Sequence, residues 1–457
     1  MELQQEHNTP DKAHAYRWNQ PFTIKNVTFK NRILRSSLGG KMAYYDGTVN
    51  NAWKNFETKF AQHEVAGIIS ATMTVDKTRW SPIEYPKLSH NKFVKPLQRF
   101  IKTIQSYGCK YIIQLGDPGY HTQTSLFSQP EDAFSASAGF DLLYGYRNTR
   151  TAMPPCTIQA TIRKFVDAAK RAQETQADGV EITASKGYLM HQFLNPGINR
   201  RRDQYGGSED ARLLLLQHIV HQVRDAVGKE FLVGLRLSAV DYNVLPLGTW
   251  RWPPVVPLRH YVIGNTLRET IYYGQKLREH IDYLHITSGF GFLNPKENPG
   301  KFPARELRMF ANATRHLSMK ANLRATIMNT VPWLVGMICS IGWTSKEGRN
   351  VEYAGAFKRL VELPIIANGG LQRRSVIEGA LREGKCDMVS MARPLLANPD
   401  LVQQWQKRDT PKNPCTFCNK CAAMTAMFPL GCYDLSRFRG VKEMEEQILA
   451  WSADPTP

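Results

Sequence analysis

Short apolar runs alternate with amphipathic stretches along most of this chain, and eight such alternations constrain its fold more than any other feature. The runs at 31–34, 67–72, 111–115, 179–183, 231–237, 283–287, 363–367 and 387–391 are short and rich in Val and Ile, which predicts buried strands. Stretches with apolar residues at helical spacing lie between and after them, at 52–63, 93–107, 158–176, 211–223, 266–280, 375–383 and 399–407. In the third, Phe165, Ala168, Ala169 and Ala172 share one face. Strands that alternate with helices pair in parallel, and eight units predict a closed α/β barrel, the (β/α)8 or TIM barrel.

The 457 residues accommodate one such barrel with insertions. Residues 1–18 are polar and have no apolar core, so they read as a disordered or loosely docked arm and not as a secretory signal. A split apolar pair at 22–24 and 28–29 predicts an N-terminal hairpin. The expected divisions are the arm at 1–18, the barrel at 19–410 and a Cys-rich C-terminal extension at 411–457. Three insertions stand out: 116–157, a Pro/Trp-rich stretch at 243–264, and 289–350. Loops this long inside a compact domain are functional or disordered. The apolar stretch 327–343 reaches the lower edge of a transmembrane span, but Pro332 interrupts it and strands continue after it. It is expected to form a buried or capping helix, with no stable membrane span.

Fifty-nine Lys and Arg against 40 Asp and Glu leave a net charge of +19. The basic residues are spread, the densest run being 200–202, which suits phosphate-bearing cofactors and a solvated surface. Of eight Cys, four are scattered and four cluster near the C-terminus, which is no secreted disulfide scaffold. A reducing, cytoplasmic setting is expected.

Barrels of this kind carry their chemistry at the C-terminal ends of the strands. That rule selects Ser36, Ser37, Leu38 and Gly39, then Thr72, Gln114, residues 183–188, Arg236, Gly369 with Gly370, and Arg393, with Asn368 and Ala392 leading into the last two turns.

The stretch 178–212 adds motifs at fixed spacing: Asp-Gly-Val-Glu-Ile at 178–182, Gly-Tyr-Leu at 187–189 and Gln-Phe-Leu at 192–194. Asn199, Arg201, Asp203, Tyr-Gly-Gly-Ser at 205–208 and Arg212 follow. This set resembles the Old Yellow Enzyme family of FMN-dependent oxidoreductases. The resemblance implies a barrel closed below by the hairpin, bound FMN, and NAD(P)H-driven reduction of an activated C=C bond. Gln114 would then bond the pyrimidine edge of the flavin, and Arg236 would offset the charge of the reduced ring. Gly369, Gly370, Ala392 and Arg393 would hold the phosphate, with Ala392 replacing a family Gly.

On the substrate side the chain departs from the family. Thr183 and Lys186 occupy the places of a His and a His or Asn that hold the substrate carbonyl. Tyr188 matches the family's proton donor. Gly39 replaces a Thr or Cys near the flavin, and Asp117 replaces a His. The expected catalytic set is Tyr188, Lys186 and Thr183, with the Lys ammonium and the Thr hydroxyl polarising a carbonyl or carboxylate. A flavin-binding barrel with lost or redox-neutral activity is the alternative. A basic FMN barrel also describes tRNA-modifying enzymes, but their Asn-x-x-Cys-Pro motif is absent, so nucleic acid is not the expected partner. The insertions at 140–150, 243–264 and 327–343 suggest a bulky hydrophobic small molecule.

Cys415-x-x-Cys418-x-x-Cys421, followed by Cys432, has the spacing of a thiolate set for an iron–sulfur cluster or zinc. It also resembles the dienoyl-CoA reductase and trimethylamine dehydrogenase branch, in which such a set binds a [4Fe–4S] cluster. A remnant with free thiols is the other reading.

Overall fold

Every residue of strands Gly179–Ala184, Leu232–Ser238 and Tyr283–Thr287 is buried. Strands buried on both faces belong in a parallel sheet covered by helices. That is the arrangement in the computed structural model, which describes residues 16–40, 42–79, 86–121, 134–140, 149–242, 263–290, 298–344, 346–425 and 427–452. Ile33–Arg35, Gly67–Ile69, Lys110–Gly116, Gly179–Ala184, Leu232–Ser238, Tyr283–Thr287, Ile365–Ala367 and Met388–Met391 pair in parallel, each with the next. The eighth returns to the first with Ser390 opposite Leu34, so the barrel is closed as the alternation predicts.

Side chains alternate along a strand, so every second residue points into the barrel. The lower interior is apolar: Leu34, Ile69, Ile112, Leu232, Tyr283, Ile366 and Met388 form one cluster. Ile24, Val27 and Phe29 of the hairpin Phe22–Ile24 and Val27–Phe29 complete it, closing the bottom. Two residues further along the strands the interior turns polar, with Gln114, His285 and Ser390, and Arg236 follows four residues after Leu232. Outside, helices Asn51–Gln62, Val94–Gln105, Pro155–Glu174, Glu209–Val227, Leu267–Leu277, Val351–Val361 and Arg374–Arg382 cover the sheet. Side-chain caps start three of them, Asn50 accepting from the Trp53 amide at 2.8 Å in the first. Ser208 accepts from the Ala211 amide at 3.2 Å, and Thr266 forms a capping box with Glu269.

Several expectations needed correction. The 116–157 region holds a small sheet of Phe134–Ser135, Gly139–Phe140 and Thr149–Ala152, and the next helix already starts at Pro155, where a fixed φ suits the first turn. Helix Leu401–Gln404 is not the last, because Lys420–Met424 and Val441–Ser452 follow, the latter packed on Asn51–Gln62. The apolar run 327–343 divides at Pro332, and helix Pro332–Cys339 has no buried residue. It belongs with Ala304–Thr314 and Met319–Thr330 to an excursion with its own small core of Ala311, Ala325 and Met328. No helix among the described residues is long and apolar enough to cross a membrane. Most of the expected arm, and the insertion residues 141–148 and 243–262, lie outside the described residues. The described end of the arm is docked: Trp18 is buried edge-on against Trp405, 5.4 Å between centroids.

Candidate functional site

The polar layer of the barrel is built around Glu181. Its carboxylate accepts from Gln114 Nε2 at 2.6 Å, the Tyr283 hydroxyl at 3.1 Å and His285 Nδ1 at 3.0 Å. Burial pushes His285 below its ordinary range, so it is neutral at pH 7. Its Nδ1–H therefore meets Glu181, and Nε2 accepts from Ser390 Oγ at 2.7 Å. Burial raises the Glu181 pKa, but His285, Arg236 and Gln114 more than offset this and hold it below the usual range. Arg236 lies in register with Thr183 on one side and His285 on the other. Thr72 Oγ1 donates to Gln114 Oε1 at 2.5 Å, which fixes the carboxamide orientation.

Above this layer the strand-end residues converge on Gly116. A Cβ there would stand 2.5 Å from Thr72 Cγ2, 2.8 Å from Thr183 Cγ2 and 3.7 Å from Tyr188 Cδ1. Thr183 Oγ1 is 3.3 Å from Ser185 Oγ. After strand four the chain reverses through Lys186 and Gly187, with φ of 55° and 75°. Lys186 Nζ donates to the Ser288 carbonyl at 2.7 Å. The half-buried Tyr188 then opens the fully buried helix Leu189–Leu194.

Sequence reasoning missed what holds this turn. His191 Nδ1 accepts from the Gly187 amide at 3.0 Å, so the proton is on Nε2, which meets Asp241 Oδ1 at 2.6 Å. Asp241 also accepts from Asn195 Nδ2 at 2.9 Å and Asn265 Nδ2 at 2.7 Å. The ring of Phe290 packs on His191, 4.9 Å between centroids. Asp117, which replaces a family His, does not line the pocket as an imidazole would. It is buried and pairs with Arg79 at 2.5 Å, and Arg79 also meets Asp76 at 3.0 Å.

On the opposite side of the mouth, Asn368 Nδ2 reaches Ser36 Oγ at 3.5 Å, and the half-buried Ser37, Leu38 and Gly39 follow Ser36. Gly369 and Gly370 have φ of 123° and 67°, a turn in which successive amides can form an anion-binding nest. Pro299 lies against Gly370. Ser288 Oγ donates to Asn350 Oδ1 at 2.8 Å, and Asn350 Nδ2 is 3.5 Å from Asn368 Oδ1. The residue that anchors Lys186 is thus linked to the glycine turn. Ala392 precedes helix Arg393–Ala397. Arg393 donates to the Pro299 carbonyl at 2.9 Å, bonds Asn419, and stacks 5.2 Å from the Phe417 ring centre. It is therefore shared between the glycine turn and the C-terminal extension, a placement the sequence did not suggest.

Cys415, Cys418, Cys421 and Cys432 line one cavity together with Arg393. Burial pushes the Cys415 thiol up to about 11, opposed by the Phe417 amide and the Arg393 guanidinium. Cys421 is raised further, also by burial. The Phe417 amide meets Cys415 Sγ at 3.4 Å, and Arg437 donates to Cys432 Sγ at 3.0 Å. Among the described residues, no three His, Cys, Asp or Glu stand so as to hold a single metal ion.

Known proteins share this architecture. The old yellow enzyme homologue of Zymomonas mobilis superposes with a TM-score of 0.64 at 19% identity, covering 90% of this chain and 99% of that one. The NADH oxidase of Thermoanaerobacter brockii is 24% identical over 400 residues, 87% of this chain and 52% of that one. The multifunctional alkene reductase/demethylase OYE of Caballeronia cordobensis is 24% identical over 405 residues, 88% of this chain and 51% of that one. The chain spans about half the length of these two relatives. The sequence profile of the NADH:flavin oxidoreductase / NADH oxidase family matches residues 19–246 and 342–412. That match contains all eight strand ends but the sixth, and the chain therefore belongs to the NADH:flavin oxidoreductase / NADH oxidase family, that of the old yellow enzymes.

Proposed function

We propose that the barrel mouth binds FMN and that NAD(P)H-derived reducing equivalents are used there to reduce an activated C=C bond of a bulky apolar small molecule. The convergence of Thr72, Thr183 and Tyr188 around Gly116, directly above the Gln114 carboxamide, is the observation that carries this reading. The donor set suits a flavin. Gln114 commits one Nε2 hydrogen to Glu181 and keeps a second for the pyrimidine edge. Arg236, opposite Thr183 and so two residues beyond the level of Gln114, provides a cation, and Gly369 and Gly370 offer backbone amides to a phosphate, with Arg393 beside them.

When bound, the flavin supplies a hydride for the β-carbon of the alkene. The chain's own residues do the rest. Tyr188 gives its phenolic proton to the α-carbon and recovers one from water. Lys186, its ammonium anchored on the Ser288 carbonyl, and the Thr183 hydroxyl draw charge onto the activating oxygen. An alkene reductase among the relatives supports this reaction class.

The four Cys line one cavity with Arg393, and their C-x-x-C-x-x-C spacing suits an iron–sulfur group, with zinc the alternative. Four scattered Cys and one metal-type cluster, rather than a disulfide scaffold, fit a reducing, cytoplasmic setting.

Heating the purified protein should release FMN, and NAD(P)H added without oxygen should bleach the bound flavin. A supernatant without FMN would overturn the cofactor assignment. Bleaching that no alkene reverses would leave a flavin-binding barrel without this activity.

A further inference from the structure

The chain leaves the barrel after strand six and returns at helix Val351–Val361, and the family profile does not extend over 247–341. The roots of the excursion stand at the catalytic mouth. Gly300 donates to the Thr344 carbonyl at 2.8 Å, and Pro299 accepts from Arg393. Its helices cover their small core with one face and turn large apolar side chains outward. On Met319–Thr330 these are Met319, Leu323 and Ile327, exposed by 85%, 61% and 48%. Beyond it come Trp333, Met337 and Ile341, exposed by 70%, 57% and 69%. Met319, Leu323 and Ile327 repeat every four residues along one helix face, Trp333 and Met337 do the same on the next helix, and Ile341 follows in the turn after it. Large apolar side chains exposed in this number on two adjoining helices mark a binding face.

The charge around the stripes identifies what it fits. Residues 301–341 contain six Lys and Arg and one acid, Glu306, which itself faces Lys420 at 3.9 Å. Exposed apolar residues with a Trp, on a segment of net positive charge, have the composition of an interfacial membrane helix. A second copy of this chain would bring the same basic border and a net charge of +19 against it, so like charge opposes that pairing. Helices of 12 and 8 residues extend about 18 and 12 Å, short of the roughly 30 Å hydrocarbon core, so they lie on a bilayer and do not span it.

We propose that the 319–341 face docks on the surface of a bilayer rich in anionic lipid. The barrel mouth at the base of the excursion then opens close to the lipid, where an apolar substrate would be concentrated. The docking itself does not depend on the flavin reading, because its readout is lipid binding.

The test is co-sedimentation of the full chain with phosphatidylcholine vesicles, with and without about 30% phosphatidylglycerol, at low and high salt. The chain should pellet with the anionic vesicles, and less so at high salt. Trp333→Glu combined with Met337→Glu should lower the bound fraction on the order of tenfold. Trp333→Phe, and Leu449→Glu on the exposed face of a remote helix, should leave it unchanged. An unchanged thermal midpoint in the double variant separates lost docking from lost fold. Wild-type chain that ignores anionic vesicles overturns the proposal, and so does binding that survives the double substitution. A dimer that the double substitution dissociates would assign the face to a second copy and overturn it equally.

Discussion

Lys186 holds a left-handed backbone conformation with φ of 55°, which for a residue with a Cβ costs on the order of 1–3 kcal/mol. The bond from its Nζ to Ser288, and the grip of His191 on the Gly187 amide, offset that cost and hold the ammonium at the mouth. A positively charged ammonium, a donor with no acceptor, binds an anionic oxygen better than a ketone. Lys186→Met should therefore weaken a para-substituted phenolate by about 1.5–3 kcal/mol, tenfold or more in Kd, and leave flavin binding intact. Titration of the charge-transfer band measures this, and equal affinities would remove Lys186 from the pocket. Gly370 is a second residue-scale constraint. With φ of 67° and Pro299 Cγ 2.5 Å from where a Cβ would sit, Gly370→Ala should cost about 1–3 kcal/mol and weaken FMN binding. Thermal unfolding with and without added FMN separates the two effects. The strand-end positions of Thr183, Lys186 and Tyr188 were legible because a fixed-spacing motif carries them. The His191–Asp241 pair was not, because its members are 50 residues apart and only the closed barrel joins them.

At the scale of elements, the barrel strands were legible because burial on both faces leaves an unbroken apolar run. The helices between them were legible from period and cap. Strands of two residues such as Phe134–Ser135 have no period to read, and helix Leu189–Leu194 is too short to show one. What fixes these pieces is a buried polar clamp. Asp117 holds Arg79, its backbone carbonyl receives the Leu189 amide at 2.9 Å, and Asp76 ties Arg79 to Lys164 at 2.5 Å. Asp117→Ala removes one of the two carboxylates paired with the buried Arg79, and should cost about 3 kcal/mol, read as a lower urea midpoint. The clamp also predicts acid sensitivity. Burial raises the Asp76 pKa, but Arg79, Lys164 and Thr78 outweigh burial and hold it well below the usual carboxylate range. A depressed folded pKa contributes stability that is fully present above the unfolded value, about 4, and is lost as pH falls through the folded one. The urea midpoint should thus fall below about pH 4, and less so in Asp76→Asn, which has no proton to gain. Equal acid sensitivity in that variant would assign the loss to other carboxylates.

Across the whole molecule, barrel, excursion and extension meet at one place, and no local pattern foretold it. Arg393 from the eighth strand end bonds Pro299 of the excursion and Asn419 of the extension, and Asn419 Nδ2 reaches the Lys301 carbonyl at 2.9 Å. Phe417 and Asn419 both take left-handed backbone conformations, φ of 53° and 61°, within seven residues that carry three of the four Cys. Each such conformation costs on the order of 1–3 kcal/mol and persists only where its surroundings impose it. A cluster bound by Cys415, Cys418, Cys421 and Cys432 would impose it, and would repel the thiol protons that burial otherwise retains. Anaerobically purified protein should therefore contain iron and acid-labile sulfide, and Cys418→Ser should lose both. Without the cluster, Phe417 and Asn419 relax and Arg393 loses its stacking and bonding partners. The same variant should then release FMN more readily, by about tenfold in Kd, even though Cys418 lies outside the barrel. Iron that survives Cys418→Ser would refute the cluster. Iron lost with FMN affinity unchanged would retain the cluster but sever the link through Arg393.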